Sequence, residues 1–240
     1  MATDSYAGLA NHYDLLMTSG YYDYDRYAKV IVRLSENRRD LLELGVGTGL
    51  VCEKILDLTR DMRITGIDAS ESMLEHARHR LGDRVHLQEQ DILSLSLNRP
   101  FDVAYSVGGI WAFTKNHDDV RMNSFLPTDQ ENLRALENVR HCLRPGGLLL
   151  IAGQRPHVDF RQRLSNGMTY KQQVHHEKDG LLAKDYWITD GETTVAHQRS
   201  RFRAFHDHEA ERLLTRAGFR ADGPDSDGVF HRFTAVAPPR

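Results

Sequence analysis

Leu41-Leu42-Glu43-Leu44-Gly45-Val46-Gly47-Thr48-Gly49-Leu50 decides the fold of this chain. An apolar run ends in an acidic residue and then in three glycines at alternate positions. Glycine lets the backbone turn sharply and approach a ligand with no Cβ in the way. The first strand of an open α/β sheet needs such a turn where an adenosine-containing cofactor lies against its carboxyl end. The spacing is G-x-G-x-G, whereas the dinucleotide fingerprint is G-x-G-x-x-G. A pyrophosphate needs the helix N-terminus that the longer loop presents. The shorter turn, with Glu43 in front of it, suits a phosphate-free cofactor that carries positive charge.

Outward from this stretch the pattern of strand, loop and helix repeats. Asp40–Leu44 reads as the first strand and Arg63–Ile67, ending at Asp68, as the second. Val85–Gln88 reads as the third, ending near Asp91. Phe101–Ser106 is the fourth, with Gly108-Gly109 beyond it, and Leu148–Ala152 the fifth. Helical spacing runs through Val51, Ile55 and Leu58, through Met73, Leu74, Ala77 and Leu81, and over about 128–143. Ser70 is a good N-cap, and Glu71 suits the positive end of the helix dipole. Strands alternating with helices imply right-handed crossovers and a mostly parallel sheet covered on both faces. This core is expected over residues 37–155.

The flanks read differently. Residues 1–36 place Tyr6, Leu9, Tyr13, Leu16, Tyr21, Tyr22, Tyr24 and Tyr27 at roughly helical spacing, with Gly20 between two short helices. That predicts an amphipathic helical cover. After residue 155, Asp179-Gly180 and Asp190-Gly191 are hairpin signals. They bound Thr169–Glu177, Leu181–Thr189 and Thr193–Phe205, which read as a three-stranded antiparallel meander. The segment 156–205 is expected to be an inserted lid or an association surface, the latter pairing subunits in a homodimer. Residues 206–240 supply a helix capped by Asp207 and a last strand over Val229–Val236.

Composition bounds the function. The 240 residues are 40% hydrophobic and 27% charged, with a formal net charge of −3. That is ordinary for a soluble α/β domain with an insertion. No block of Lys and Arg supplies a nucleic-acid footprint. Cys52 and Cys142 lack metal-ligand spacing and read as reduced thiols, so neither disulfide nor metal is expected. The first residues lack a basic region followed by an apolar stretch, and the run Leu148–Ala152 is too short to span a bilayer. A cytoplasmic protein with no membrane partner is expected.

Ligands of open α/β sheets bind outside the carboxyl ends of the strands. Glu43, Asp68 and Asp91 therefore converge on one crevice with Ser106 to Gly109. An acid ending the second strand is placed to accept hydrogen bonds from ribose hydroxyls. A second acid, one strand over, can accept from the adenine amino group. Such a crevice repels phosphate and tolerates a sulfonium with an ammonium group.

In order and register, these residues resemble class I S-adenosylmethionine-dependent methyltransferases. The first motif is matched by Leu42 to Gly49, and the acidic second by Gly66-Ile67-Asp68-Ala69-Ser70-Glu71-Ser72-Met73-Leu74. Gln90-Asp91-Ile92, Phe101-Asp102-Val103-Ala104-Tyr105-Ser106-Val107 and Leu143-Arg144-Pro145-Gly146-Gly147 match the later ones. The resemblance implies a Rossmann-like α/β fold, mostly parallel with an antiparallel last strand, and S-adenosyl-L-methionine as cofactor. It implies that Glu43 and Gly45 face the methionyl part, with Gly47 and Gly49 completing the loop. Asp68, beside Ala69, would bind ribose; Asp91 and Ile92 would hold adenine. Met73 would pack near the adenine or simply in the core. Ser106 and Val107 would line the methyl end.

The segment Tyr6…His12-Tyr13-Asp14 and the downstream strands resemble the branch acting on small molecules, including sugar and amine methyltransferases of natural-product pathways. There an aromatic residue of the N-terminal helices reaches the methyl group. Tyr13 is the first candidate for that catalytic and cofactor contact, then Tyr21 or Tyr22. The tetrapeptide of DNA amino-methyltransferases is absent after the fourth strand, and so is an acidic magnesium cluster. The expected acceptor is a nitrogen or oxygen atom of a small molecule.

Methyl transfer is an in-line displacement that depends chiefly on placing the nucleophile. A general base helps a hydroxyl or an ammonium acceptor. His117, in a long polar connection over 111–127, is the leading candidate base, and His157 the next. Trp111 and Phe113 could wall the acceptor pocket, and Tyr170, Tyr186, Trp187 and Arg201 could reach it from the meander. Two other readings stay open from the residues: a nicotinamide-dependent oxidoreductase, and a catalytically silent domain that binds the cofactor.

Overall fold

The computed structural model describes residues 10–236; Tyr6 and Leu9 lie outside them. A central sheet runs in the order β3 (His86–Glu89), β2 (Arg63–Asp68), β1 (Asp40–Leu44), β4 (Phe101–Ser106) and β7 (Leu143–Gln154), every neighbouring pair parallel. The last strand, β13 (Phe230–Ala235), lies antiparallel against β7. Helices α2 (Tyr24–Ser35), α3 (Leu50–Leu58) and α4 (Glu71–Leu81) cover one face, where Ile31, Ile55 and Leu74 are fully buried. Helices α5 (Asp129–Cys142) and α6 (Asp207–Arg216) cover the other through Leu136, Val139 and Leu214. Strand β1 has both of its faces covered, which is why its sequence is an apolar run rather than an alternation.

Local chemistry sets the helix ends. Ser70 caps α4 by accepting from the Met73 N–H at 3.3 Å. Thr128 and Glu131 form a reciprocal capping box on α5. Helix α6 departs from expectation: His206 is its N-cap, Asp207 is its first residue, and Glu209 accepts from the His206 N–H at 2.9 Å.

The polar connection expected over 111–127 is instead a hairpin, β5 (Trp111–Asn116) and β6 (Asp119–Ser124). The expected three-stranded meander is part of a larger sheet. Its strands β8 (Phe160–Arg163), β9 (Thr169–His176), β10 (Leu181–Asp190) and β11 (Thr193–His206) join that hairpin through β11 and β6. The two sheets share β7. Strand β4 stops opposite Ile151, and β5 takes over beside Gly153 and Gln154. A further strand, β12 (Phe219–Pro224), pairs with β13.

On the amino-terminal side, α1 (Ala10–Leu16) runs into one turn of π-helix, Met17–Tyr21. Gly20 sits in that turn at φ +86°, a backbone state open chiefly to glycine. The chain then re-enters α2 at a short distance, with Tyr13, Tyr21 and Tyr22 gathered near the carboxyl ends of the central strands.

Candidate active site

The glycine loop folds over the end of β2. The N–H groups of Gly45 and Val46 both donate to the Ile67 carbonyl at 2.9 Å. The Gly47 N–H donates to Asp68 Oδ2 at 2.8 Å, and the Ser70 N–H to Oδ1 at 3.0 Å. Asp68 is thereby held at the loop's rim. At Gly45 and Gly109 the ends of β1 and β4 cross. A Cβ on Gly109 would lie 2.2 Å from the Leu44 carbonyl oxygen, so neither strand end tolerates a side chain there.

These elements enclose a cavity of about 520 Å³, within the range of small-molecule sites. The fold brings the candidates Tyr13, Gly45, Gly47, Asp68, Ala69, Met73, Asp91 and Ile92 together on its wall. Met73 is buried in the core and reaches the cavity as well. Gln90, Gly108 to Ile110, and Phe125 to Pro127 complete the wall. Asp91 accepts from the Leu93 N–H at 2.9 Å. Two carboxylates and a phosphate-free glycine turn can hold a cationic nucleoside.

A second, smaller cavity of about 50 Å³ abuts the first. Tyr13, Gly108, Gly109, Ile110 and Phe125 line both, so Tyr13 stands where one opens on the other. Its farther wall comes from Tyr21, Tyr22 and Trp111, and from Gln154, His157, Lys184, Tyr186 and Gln198. Gln154 Nε2, His157 Nδ1 and Gln198 Oε1 are buried without a hydrogen-bond partner. Burial pulls the His157 imidazole down to about 3, helped by the Lys184 charge, so it is neutral at physiological pH. Burial raises the Tyr13 phenol well above its ordinary value, with Asp68 and Asp14 adding to the rise. Tyr13 is therefore a neutral hydroxyl.

The placement of Tyr13 has its own support. Asp14 accepts from Thr48 Oγ1 at 2.5 Å and pairs with Arg80. Arg80 also donates to the Thr48 carbonyl at 2.8 Å and to Glu53 at 3.1 Å. One arginine on α4 thus ties α1, the glycine loop and α3 together.

Several expected site residues lie elsewhere. His117 is exposed on the β5–β6 turn at φ +53° and lines neither cavity. Glu43 is buried below the loop, where Cys52 Sγ donates to it at 2.8 Å and the Tyr105 hydroxyl at 3.0 Å. Gly49 is the N-cap of α3 and packs against Leu81. Ser106 is occupied by the turn into β5, donating to the Trp111 carbonyl and accepting its N–H. Val107 packs in the core, so the cavity wall begins at Gly108. The ring of Phe113 stacks on His231 at 3.8 Å and faces an open surface groove. Tyr170 is fully buried behind Tyr21 and donates to Gln172 at 2.7 Å. Trp187 stacks on His197 and lines neither cavity, and Arg201 reaches the larger cavity while pairing with Glu177 at 3.5 Å. In the sequence Gln154, Lys184 and Gln198 each read as an ordinary polar strand position. The alternation of β10 and β11 carries Lys184 and Gln198 to the inward face.

Residues 41–147 match the family model described as a methyltransferase domain. Over these residues the chain is a methyltransferase domain. The methyltransferase is 27% identical over 244 aligned residues to a dTDP-3-amino-3,4,6-trideoxy-alpha-D-glucopyranose N,N-dimethyltransferase of Streptomyces venezuelae, covering 92% of this chain and 95% of that one. It is 35% identical to a malonyl-[acyl-carrier protein] O-methyltransferase of Acetivibrio thermocellus, but over only 35% of this chain and 34% of the relative. Among solved structures, Streptomyces venezuelae DesVI superposes with a TM-score of 0.70 at 24% identity, covering 95% of this chain and 98% of that one. The CcbJ methyltransferase of Streptomyces caelestis gives 0.72 at 19% identity, covering 97% and 98%. These likenesses establish the fold. S-adenosyl-L-methionine is the cofactor of the methyltransferase, and the nicotinamide reading is set aside. Among the described residues, no group of His, Cys, Asp and Glu is arranged to hold a metal, and no helix is long and apolar enough to cross a membrane.

Proposed function

We propose that the methyltransferase methylates an amine nitrogen of a small hydroxylated molecule of the amino-sugar kind. One observation carries this reading. The cavity behind Tyr13 presents a buried amide donor, an imidazole nitrogen and an amide acceptor, all without partners. Buried polar groups are rarely left unpaired, and a ligand or ordered water completes those the chain itself does not. A mixed set of donor and acceptor matches a ligand rich in hydroxyls better than an apolar one. The relative that aligns over nearly the whole chain acts on an amino sugar by its name, and supports nitrogen over oxygen. The malonyl relative shares only about a third of either chain, so it bears less on the acceptor.

In this reading Asp68 accepts from the ribose hydroxyls, and Asp91 with Ile92 holds the adenine. Bound S-adenosylmethionine supplies an electrophilic methyl on a sulfonium. Tyr13 closes the cofactor cavity and leaves the methyl facing the smaller one. His157 orients the acceptor by a hydrogen bond and does not remove a proton, since a group with a pKa of about 3 is a poor base at pH 7.

The test is transfer of an isotopically labelled methyl from the cofactor to dTDP-3-amino-3,4,6-trideoxy-α-D-glucopyranose, with the 3-hydroxy congener in parallel. Label on the amine product, seen by mass spectrometry, is the expected result. Methylation of the hydroxy congener alone would assign oxygen instead. No transfer to either, from a protein that still binds S-adenosylhomocysteine, would return the reading of a silent binding domain.

A further inference from the structure

The small cavity holds one formal charge. Lys184, on β10, is 3% exposed, and its Nζ donates to the Tyr21 hydroxyl at 3.0 Å. The ammonium also lies 4.8 Å from the ring centroid of Tyr186 and 5.7 Å from that of Tyr21. Among the described residues it has no carboxylate within salt-bridge distance, and the cavity lining contains no Asp or Glu. The titratable groups around it are Tyr13, Tyr21, Tyr22, Tyr186 and His157. Burial holds Tyr13, Tyr22 and Tyr186 protonated and His157 unprotonated, so these four are neutral at pH 7. Burial opposes the charge on Lys184, while the hydrogen bonds it donates to the tyrosine hydroxyls and the Tyr21 and Tyr186 rings facing it favour the ammonium, and its pKa is raised from the ordinary lysine value.

A buried cation with no anion beside it is costly unless it serves a purpose. Here it faces the site where an amine must react. Aliphatic amines are mostly protonated at pH 7 and have no lone pair to give in that form. The usual remedy is a general base, and His157 is too weak to be one while His117 lies outside the cavity.

We propose that Lys184 is a specificity-determining residue whose buried positive charge excludes the ammonium form of the acceptor, so that the amine enters the cavity as the free base. The inference rests on the amine reading above. The proton leaves to solvent on entry. The nitrogen lone pair then forms the new N–C bond, the C–S bond breaks with its electron pair going to sulfur, and the product is an alkylammonium. The same charge that rejected the protonated substrate disfavours that product and promotes its departure. A like charge in a low-dielectric cavity disfavours the charged form of its neighbour, which is the whole effect required.

The experiment is calorimetric titration of the protein loaded with S-adenosylhomocysteine, using dTDP-3-amino-3,4,6-trideoxy-α-D-glucopyranose as the probe. At pH 7, in phosphate and in MOPS, the difference in apparent enthalpy counts protons released on binding. The wild type should release close to one proton per amine bound. K184M should release far less and bind the ammonium form, while K184R should release as the wild type does. In turnover, the acid limb of kcat for K184M should move up by about one pH unit. The acid limb of kcat/KM, which reports the free amine, should stay in place. Thermal melts confirm that each variant is folded, and K184R keeps the test decisive should K184M not fold. Binding and methylation without proton release in the wild type or K184R would overturn the proposal for Lys184 and leave the amine reading standing. Failure of the probe to bind or be methylated at all would overturn both.

Discussion

Glu43 shows how far a single residue's environment can move its role. The sequence places it one step before the glycines, as an acid for the cofactor's cationic tail. In the fold, β1 turns it away from the cavity and under the loop. Burial there lifts its carboxyl to about 8, with the hydrogen bonds from Cys52 and Tyr105 opposing the rise. The folded protein thus holds this proton more tightly than the unfolded chain does. The resulting stabilisation is complete below the unfolded value of about 4.5 and is lost as the pH rises through about 8. Glu43→Gln keeps the shape and cannot ionise. Its melting temperature should therefore gain on the wild type by several degrees between pH 5 and pH 8, at roughly 2–4 °C per kcal/mol for a chain of this size. A gap that stays constant across a pH series of melts would show that Glu43 is ionised throughout.

At the scale of elements, strands β1 to β4 could be read because each is an apolar run that stops at a residue with a task. The Gly45 turn stops β1 and Asp68 stops β2. The β5–β6 hairpin could not be read in the same way. Its turn residues, His117-Asp118, are not a favoured hairpin pair, and β6 carries Asp119, Arg121 and Asn123 between its apolar positions. Strand β12 was hidden by Gly223 and Pro224, which read as turn residues and here end an edge strand. The short helix α1 illustrates a third case. Its aromatic spacing was visible, but the device that positions it, Asp14 on Thr48 and Arg80, joins residues distant in sequence. Asp14→Ala should loosen α1 and weaken S-adenosylhomocysteine binding about three- to tenfold, the worth of roughly one hydrogen bond and a partly exposed ion pair. Calorimetry decides it; unchanged affinity would mean that α1 closes over the cavity without this tether.

At the scale of the molecule, the two cavities are built from parts that differ in how their sequence speaks. The larger of the two draws on strand ends whose chemistry fixes residue types in order, so Gly45, Gly47, Asp68, Asp91 and Ile92 could be placed on one wall from sequence alone. The smaller draws its wall from α1, β5, β7, β10 and β11, and only the three-dimensional fold brings Trp111, Gln154 and Lys184 together. Both cavities depend on the sharing of β7 between two sheets, which sets the larger antiparallel sheet over the carboxyl ends of the first. Phe125 to Pro127, which follow β6, Arg201 of β11 and Tyr13 of α1 meet across the larger cavity. A ligand there should therefore stabilise distant parts of the chain together, because it binds the folded arrangement of all of them. Saturating S-adenosylhomocysteine should slow amide hydrogen exchange in α1, around residues 125–127 and in β11 near Arg201, as well as in the glycine loop. Strand β9 and the outer β8 line neither cavity and should respond least. Protection confined to residues 40–92 would show that the core binds the cofactor by itself, and that the amino-terminal helix and the second sheet close only when the acceptor arrives.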